Sequence, residues 1–394
     1  MGRLLLDLHV VDQRTIDKYR SQAKQLGKSS FALAWVLDQG TEERARGVTI
    51  DVANVKFETE TTAFNILDAP GHRDFIPNMI AGASQADFAV LVVDASGSNF
   101  ESGLRGQTKE HALLVRSIGV QRVIIAVNKL DLLDDSKSRF DDISQQLKGF
   151  LTKAGFQAKN LAFVACSGLT GENIVHRSGN AKLAWYKGET LVELLEASEP
   201  GTRAIQNPLR LTIDDVFRGS LQNPLSISGR LDAGTLQVGD RLLILPAAQT
   251  ATVKAIDIDN EFKEWAVAGQ NVVLHLSDID PNYLKAGDVL CPASAPIPLA
   301  KTFTVKMLAF QHVMPMPCEV HKGRLHVAAR ISQLKAELDK GSGTAVKGKR
   351  KLRIVQPGSV ARVEVEVDEA LPLESGNRVV LRAEGDTIGA GLVE

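Results

Sequence analysis

A doubly wound α/β domain with a parallel sheet, followed by two β-barrels, is the fold class this sequence predicts, and three observations predict it. Over residues 1–200, four short apolar runs alternate with helical segments. Helical periodicity then stops at a polar, proline-bearing stretch, SEPGTRAIQNP at 198–208. Beyond it lie short strands punctuated by turn signals, with a second proline-rich break, PASAPIP, at 292–298. At 394 residues the chain is long for one core and comfortable for two or three domains.

The apolar runs are 63–67 (AFNIL), 88–93 (FAVLVV), 122–127 (RVIIAV) and 161–165 (LAFVA). Each is continuous rather than alternating, the pattern of parallel strands covered on both faces. Helices are predicted between them at 76–85, 108–118 and 140–154, a βαβα rhythm that gives a doubly wound sheet over 1–200. The turn signals GRLDAG (229–234), QVGD (237–240) and KAGD (285–288) place a first barrel at 205–297. A second barrel is expected at 300–394, where Val363, Val365 and Val367 alternate with Arg362, Glu364, Glu366 and Asp368 as a half-buried strand does.

Composition excludes several classes. The formal net charge of -1 gives no bulk attraction to nucleic acid or membrane, so any polyanionic partner has to meet a local patch. The basic cluster Lys347, Lys349, Arg350 and Lys351, after Gly341-Ser342-Gly343, is such a patch; a solvated hairpin tip is its blander reading. Cys166, Cys291 and Cys318 are too few and too dispersed for a metal knuckle or disulfide framework, which suits reduced thiols. No apolar run approaches the ~18 residues that span a bilayer. Asp7 and His9 interrupt the opening apolar stretch, which argues against a signal peptide, and Leu6 stands where a myristoylation site needs Ser or Thr. The expectation is a cytoplasmic protein without a membrane partner.

Three motifs follow three strands. Asp68-Ala69-Pro70-Gly71-His72 comes after 63–67; an Asp at a strand's carboxyl end can hold Mg²⁺ through water, and Gly71 lets a backbone N–H approach a γ-phosphate. Alone it also fits a surface turn. Asn128-Lys129-Leu130-Asp131 comes after 122–127. The Asp131 carboxylate can accept from guanine N1–H and the 2-amino group, which adenine cannot offer, while Asn128 buttresses the pocket and the Lys129 stem lies along the base. Ser167-Gly168-Leu169 comes after 161–165 and offers backbone N–H groups to guanine O6. The ordered set, each motif after its own strand, points to a guanine-nucleotide domain of the P-loop GTPase type. Thr49, in Arg46-Gly47-Val48-Thr49-Ile50, is either an ordinary strand residue or a hydroxyl ligand to Mg²⁺ in a segment ordered by the γ-phosphate.

The phosphate-binding loop G-x-x-x-x-G-K-[ST] finds no match. Gly27-Lys28-Ser29-Ser30 comes nearest, but Gln22 replaces the first glycine and no apolar strand precedes it, so it reads as a helix-to-loop junction.

Over nearly its whole length the chain resembles the translational GTPases of the elongation factor 1-alpha class, which include eukaryotic release factor three and the ribosome-rescue GTPase that partners Pelota. Residues 29–52 resemble the family's switch I and 68–95 its switch II; 100–131 and the closing VVLRAEGDTIGAGLVE are similar to the rescue GTPases. The resemblance implies GTP and GDP as ligands, with Mg²⁺ served by Thr49 and Asp68, Gly71 at the γ-phosphate and His72 orienting the attacking water. Val48 would be one wing of a hydrophobic gate around His72. Pro77 departs from the family's usual lysine, at a place where a helix's first turn tolerates it. MGRLLLDLHVVDQRTIDKYR resembles the helix after the P-loop, so the G domain is expected to lack its first strand and P-loop, leaving a gap between the strands at 63–67 and 88–93, and this chain to be inactive. The implied function is GTP hydrolysis in ribosome rescue and mRNA surveillance (no-go and non-stop decay), by a monomer acting with Pelota on the ribosome. The alternatives are a pseudo-GTPase adaptor working with the exosome–Ski machinery, or an elongation or termination GTPase.

Overall fold

The computed structural model describes residues 1–25, 27, 32–38, 40–46, 48–97, 100, 101, 103, 107–218, 225–339, 343–346 and 352–394. The basic cluster at 347–351 and residues 28–30 of the Gly27 segment lie outside them. The chain forms two compact units, Met1–Pro200 and Gly201–Glu394.

In the first unit the elements run α1 (Gly2–Asp7), α2 (Gln13–Gln25), α3 (Thr41–Arg46), β1 (Ala53–Glu58), β2 (Ala63–Asp68), α4 (Ile76–Ala83) and β3 (Ala89–Asp94). They continue through α5 (Gln107–Ile118), β4 (Val123–Asn128), α6 (Ser136–Lys153), β5 (Leu161–Ala165) and α7 (Leu191–Glu196). Strands β3, β4 and β5 form a parallel sheet in which Asp94 lies opposite Asn128 and Val127 opposite Ala165. The continuous apolar character of β4 follows from burial on both faces. Ile124 and Ala126 join a core with Leu4, Leu5, Leu191 and Leu195, while Ile125 and Val127 join one with Ile143, Leu147 and Leu151 of α6. Those three α6 residues recur every fourth position and form one helical face. Helix α6 starts earlier than its periodicity suggests, because the Asp135 side chain caps it by accepting from the Ser138 N–H.

One element differs from the sequence reading. Residues 63–68 do not join the parallel ladder; they pair antiparallel with β1, a strand the reading omitted, and among the described residues no ladder joins β2 to β3. Val55 and Phe57 alternate with Asn54, Lys56 and Glu58, so β1 exposes one face, and Phe57 stacks on its cross-strand partner Phe64 with centroids 5.0 Å apart. Pro77 sits in the first turn of α4, where its missing N–H costs nothing.

The second unit holds two barrels. The first comprises β6 (Arg210–Phe217), β7 (Ser226–Ala233), β8 (Thr235–Gln237), β9 (Arg241–Leu245), β10 (Gln249–Ile258), β11 (Glu261–Lys263), β12 (Trp265–Val267), β13 (Asn271–Ser277) and β14 (Val289–Pro292). It closes through the order β10-β13-β7-β6-β14-β9, with β9 pairing back onto β10. The second comprises β15 (Leu299–Ala309), β16 (Met316–Lys322), β17 (Leu325–Leu338), β18 (Val360–Pro372), β19 (Arg378–Ala383) and β20 (Asp386–Val393), closed in the order β15-β18-β17-β16-β19-β20. Val363 and Val365 are fully buried inside it.

The barrels are joined by polar and steric contacts. Arg210 of the first reaches Glu374 of the second at 2.6 Å and also donates to the carbonyls of Leu209 and Ala295. Gly287, in the KAGD turn, has φ +93 and lies so close to the second barrel that a Cβ would meet the Leu325 Cα at 2.8 Å. Both its conformation and this approach require glycine. Residues 201–394 are expected to fold without the first unit: limited proteolysis should leave a resistant C-terminal fragment of roughly 20 kDa, and digestion through both barrels at the rate of the first unit would contradict it.

His321 supplies a pH dependence. Burial pushes its imidazole down to about 4, the Glu319 hydrogen bond opposes that shift, and the charges of His326 and Arg382 add to it. The folded state therefore binds this proton less readily than the unfolded chain. The stability at issue is fully present above about 6.5 and falls as pH drops towards 4. Urea unfolding with chelator present should show the decline in the wild type and a flatter profile in His321→Asn; equal slopes would refute it.

Candidate guanine-nucleotide site

The carboxyl edge of a parallel sheet collects the ends of neighbouring strands, and here it gathers two of the sequence motifs. Asn128 ends β4, and its Oδ1 accepts two backbone N–H groups, from Lys129 at 2.8 Å and from Gly168 at 2.7 Å. One side chain thus ties the β4 loop to the β5 loop. Lys129 takes a left-handed conformation, φ 68, which turns the chain sharply into the 3₁₀ turn Leu130–Leu132 carrying Asp131. Its ammonium reaches across to Asp94 Oδ2, 2.7 Å away at the end of β3. The Asp131 carboxylate accepts no hydrogen bond among the described residues, so both oxygens remain open to an N–H pair on a base.

The Ser167–Leu169 loop is more committed than its sequence suggests. The Ser167 N–H donates to the Glu172 carbonyl at 3.1 Å and the Gly168 N–H to Asn128, while Ser167 Oγ accepts from Thr170. Of the three amides, Leu169's is the one without an acceptor among the described residues, and it is the donor open to a base oxygen. Arg3 of α1 steadies this loop through the Leu169 carbonyl at 3.3 Å. At Gly168 a Cβ would come within 3.4 Å of the Asn128 amide, so the two loops pack in van der Waals contact here.

The phosphate side is built differently. Asp68 ends β2, and burial pushes its carboxyl up; the α-amino group of Met1 opposes this, and the Asp38 and Glu43 carboxylates push it further up. Thr49 and Val48 are half-buried between α3 and β1. The Thr49 hydroxyl donates to Asp38 Oδ1 at 2.7 Å, so Thr49 meets a buried carboxylate that the sequence reading did not single out. The Thr49 hydroxyl and the Asp38 and Asp68 carboxylates are hard-oxygen donors, the type of ligand Mg²⁺ takes. The segment is moored to α4, where the Asn78 amide donates to the Ile50 carbonyl at 2.8 Å and to Asp51 at 3.0 Å.

Gly71 is exposed, and a Cβ there would find only His111, 3.9 Å away, so its amide has room for a close approach. His72 is exposed as well. Its Nδ1 accepts from the Asp74 N–H at 3.3 Å and lies 3.5 Å from the Asp74 carboxylate, while Nε2 has no hydrogen-bond partner among the described residues. Sequence reasoning missed Asp38, Asn78 and Asp94. Asp94 had a signal, since it ends the strand beside Asn128; Asp38 sits in a segment without periodicity and had none.

Similarity to known proteins covers the whole chain. The family model of the elongation factor Tu GTP-binding domain matches residues 1–207, that of elongation factor Tu domain 2 matches 227–291, and that of the C-terminal domain 316–394. Protein HBS1 of Drosophila melanogaster is 41% identical over 407 residues, covering 100% of this chain and 60% of that protein, so the chain spans under two thirds of that relative. Elongation factor 1-alpha of Picrophilus torridus is 38% identical, covering 99% of this chain and 93% of its own. Among solved structures, the GTP-bound Saccharomyces cerevisiae Ski7 GTPase-like domain matches with TM-score 0.78 at 18% identity, covering 100% of this chain and 93% of that one. Elongation factor SelB of Methanococcus maripaludis, in complex with a GTP analogue, matches with TM-score 0.68 at 22% identity, over 88% of this chain and 74% of that one. These two likenesses concern the fold.

Proposed function

Because the chain belongs to the elongation factor Tu family of translational GTPases, we propose that it serves ribosome rescue and mRNA surveillance, joining a Pelota-type release-factor-like protein on stalled ribosomes and leaving on GTP hydrolysis. The observation that carries this reading is the 41% identity to Protein HBS1 along the entire chain. It accords with the rescue-type character of residues 100–131.

In this reading Asp131 accepts from guanine N1–H and the 2-amino group, Asn128 locks the two loops that hold the base, Lys129 lies along it, and the Ser167-Gly168-Leu169 loop closes over O6. Thr49 and Asp68 would hold Mg²⁺, which when bound would neutralise charge developing on the phosphates. Gly71 offers its amide to the γ-phosphate, and His72 orients the attacking water while Val48 screens that histidine from bulk solvent. The protein acts as a cytoplasmic monomer; no helix among the described residues is long and apolar enough to cross a membrane.

Pull-down with a Pelota-type protein, repeated with aminoacyl-tRNA and with a class-one release factor, tests the assignment. Capture of the Pelota-type protein alone is expected. Tight aminoacyl-tRNA binding with no Pelota interaction would move the protein to elongation, and class-one capture to termination. A further expectation concerns residues 1–394 alone, which contain no G-x-x-x-x-G-K-[ST] match. Phosphate contacts supply most of the charge-assisted bonds at such sites, so fluorescent GDP should bind this chain with a dissociation constant weaker than about 1 μM and without Mg²⁺-dependent hydrolysis. Tighter binding would mean that the base pocket carries more of the affinity than this reading gives it. A chain that recruits the exosome–Ski machinery and never hydrolyses GTP, even when supplied with a relative's P-loop, would be the adaptor.

A further inference from the structure

The second barrel carries a side-chain cluster that nucleotide chemistry does not use. Strands β16 and β17 form a tight hairpin, Glu319-Val320-His321-Lys322-Gly323-Arg324-Leu325-His326, in which His321 and His326 are direct cross-strand partners. Glu319 lies two residues before His321 and so projects from the same face. Cys318 and Val320, alternating with them, point into the barrel core, which places the cluster on the outer wall. Both imidazoles direct Nε2 at one carboxylate oxygen: Glu319 Oε2 is 3.3 Å from His321 Nε2 and 3.6 Å from His326 Nε2. The two rings are stacked with centroids 4.8 Å apart, and the three donor atoms all lie within 4.8 Å of one another.

From this geometry we propose that Glu319, His321 and His326 form a binding site for a divalent transition-metal ion of the zinc class. Ligand atoms at about 2.0–2.1 Å from a tetrahedral zinc ion stand roughly 3.3 Å apart, and the two N···O separations, 3.3 and 3.6 Å, lie close to such edges. The donor set, two imidazole nitrogens and one carboxylate oxygen, suits Zn²⁺, Ni²⁺ or Cu²⁺ and not Mg²⁺ or Ca²⁺. Three ligands leave a fourth position. It opens to solvent, because the His326 and Glu319 side chains are 58% and 49% exposed while His321, at 2%, forms the floor. The hairpin is also held before any ion arrives. Leu325 abuts Gly287 of the first barrel, and the Lys322 ammonium donates to the Pro372 carbonyl at 3.3 Å. A fixed scaffold lowers the ordering cost of binding. Arg382, opposite Glu319 in register, is a cation fixed beside the cluster, its Nη2 donating to the Gly385 carbonyl at 2.6 Å.

The test is calorimetric titration of the 394-residue chain with ZnCl₂, in buffer holding excess Mg²⁺ so that hard-oxygen sites do not compete. One Zn²⁺ per chain should bind. His326→Ala and Glu319→Gln, at exposed positions whose replacement leaves folding intact, should each weaken it at least ~10-fold. His312→Ala, a surface histidine on another loop, should leave it unchanged, and Zn²⁺ should raise the thermal midpoint of the wild type but not of His326→Ala. Absence of saturable Zn²⁺ binding, or equal affinity in the wild type, His326→Ala and Glu319→Gln, overturns the proposal and leaves a metal-free hydrogen-bonded cluster. Unfolding midpoints in urea report whether each variant is folded, so a loss of binding is read only from folded protein.

Discussion

Asp131→Asn should cut guanine-nucleotide affinity by ~10²-fold or more, the largest single effect expected at this site. The carboxylate stands ready with both oxygens uncommitted, and each charge-assisted hydrogen bond to guanine is worth about 1.5–3 kcal/mol. An amide keeps the shape but presents one acceptor and one donor, so the donor meets the guanine amino group head-on. A base with a carbonyl at C2 in place of that amino group would suit the variant, and xanthosine diphosphate should regain most of the lost affinity. The measurement is competition against fluorescent GDP in a chain given a relative's P-loop segment ahead of Met1. Unchanged GDP affinity, or loss of both nucleotides alike, would refute base selection by Asp131.

His72→Ala in the same extended chain should lower ribosome-stimulated hydrolysis by ~10²–10³-fold while nucleotide affinity stays within about threefold. The reason is local. The Asp74 amide occupies Nδ1, which leaves Nε2 as the nitrogen able to meet a water, and among the described residues the exposed ring touches only its near neighbours Asp74 and Phe75. His72→Gln keeps a donor near the same place and should recover part of the rate. A parallel fall in affinity would show that His72 shapes the nucleotide pocket rather than the water.

The parts of this fold legible in the sequence were those governed by one short-range rule. Continuous apolar runs marked β3, β4 and β5, although only β4 is buried on both faces and Val92 of β3 is exposed, and the valines at 363 and 365 marked β18 because one of its faces is wet. The β1–β2 hairpin was legible in principle, since Val55 and Phe57 alternate with Asn54, Lys56 and Glu58, but the strand's half-exposed face gave it too little apolar character to stand out. At the site, motif spacing found the residues that end strands. It could not find partners brought in from afar: Asp38 bonds Thr49 across eleven residues that include the whole of α3, and Gly168 reaches Asn128 across forty. Nor does a strand pattern reveal which amide in a loop is already engaged, which is why Leu169 replaces Ser167 and Gly168 as the open donor.

The close approach of Gly287 to Leu325 bears on how this protein can be cut and rebuilt. A designer who swaps barrels between relatives, or who seeks a minimal module for display, would naturally sever the chain at the proline-rich 292–298 segment. That cut would strip Arg210 of Glu374 and expose a glycine turn shaped to its neighbour's backbone. The economical break lies at 200–201, and a chimera should carry both barrels from one parent, or else import Gly287 and Leu325 as a matched pair.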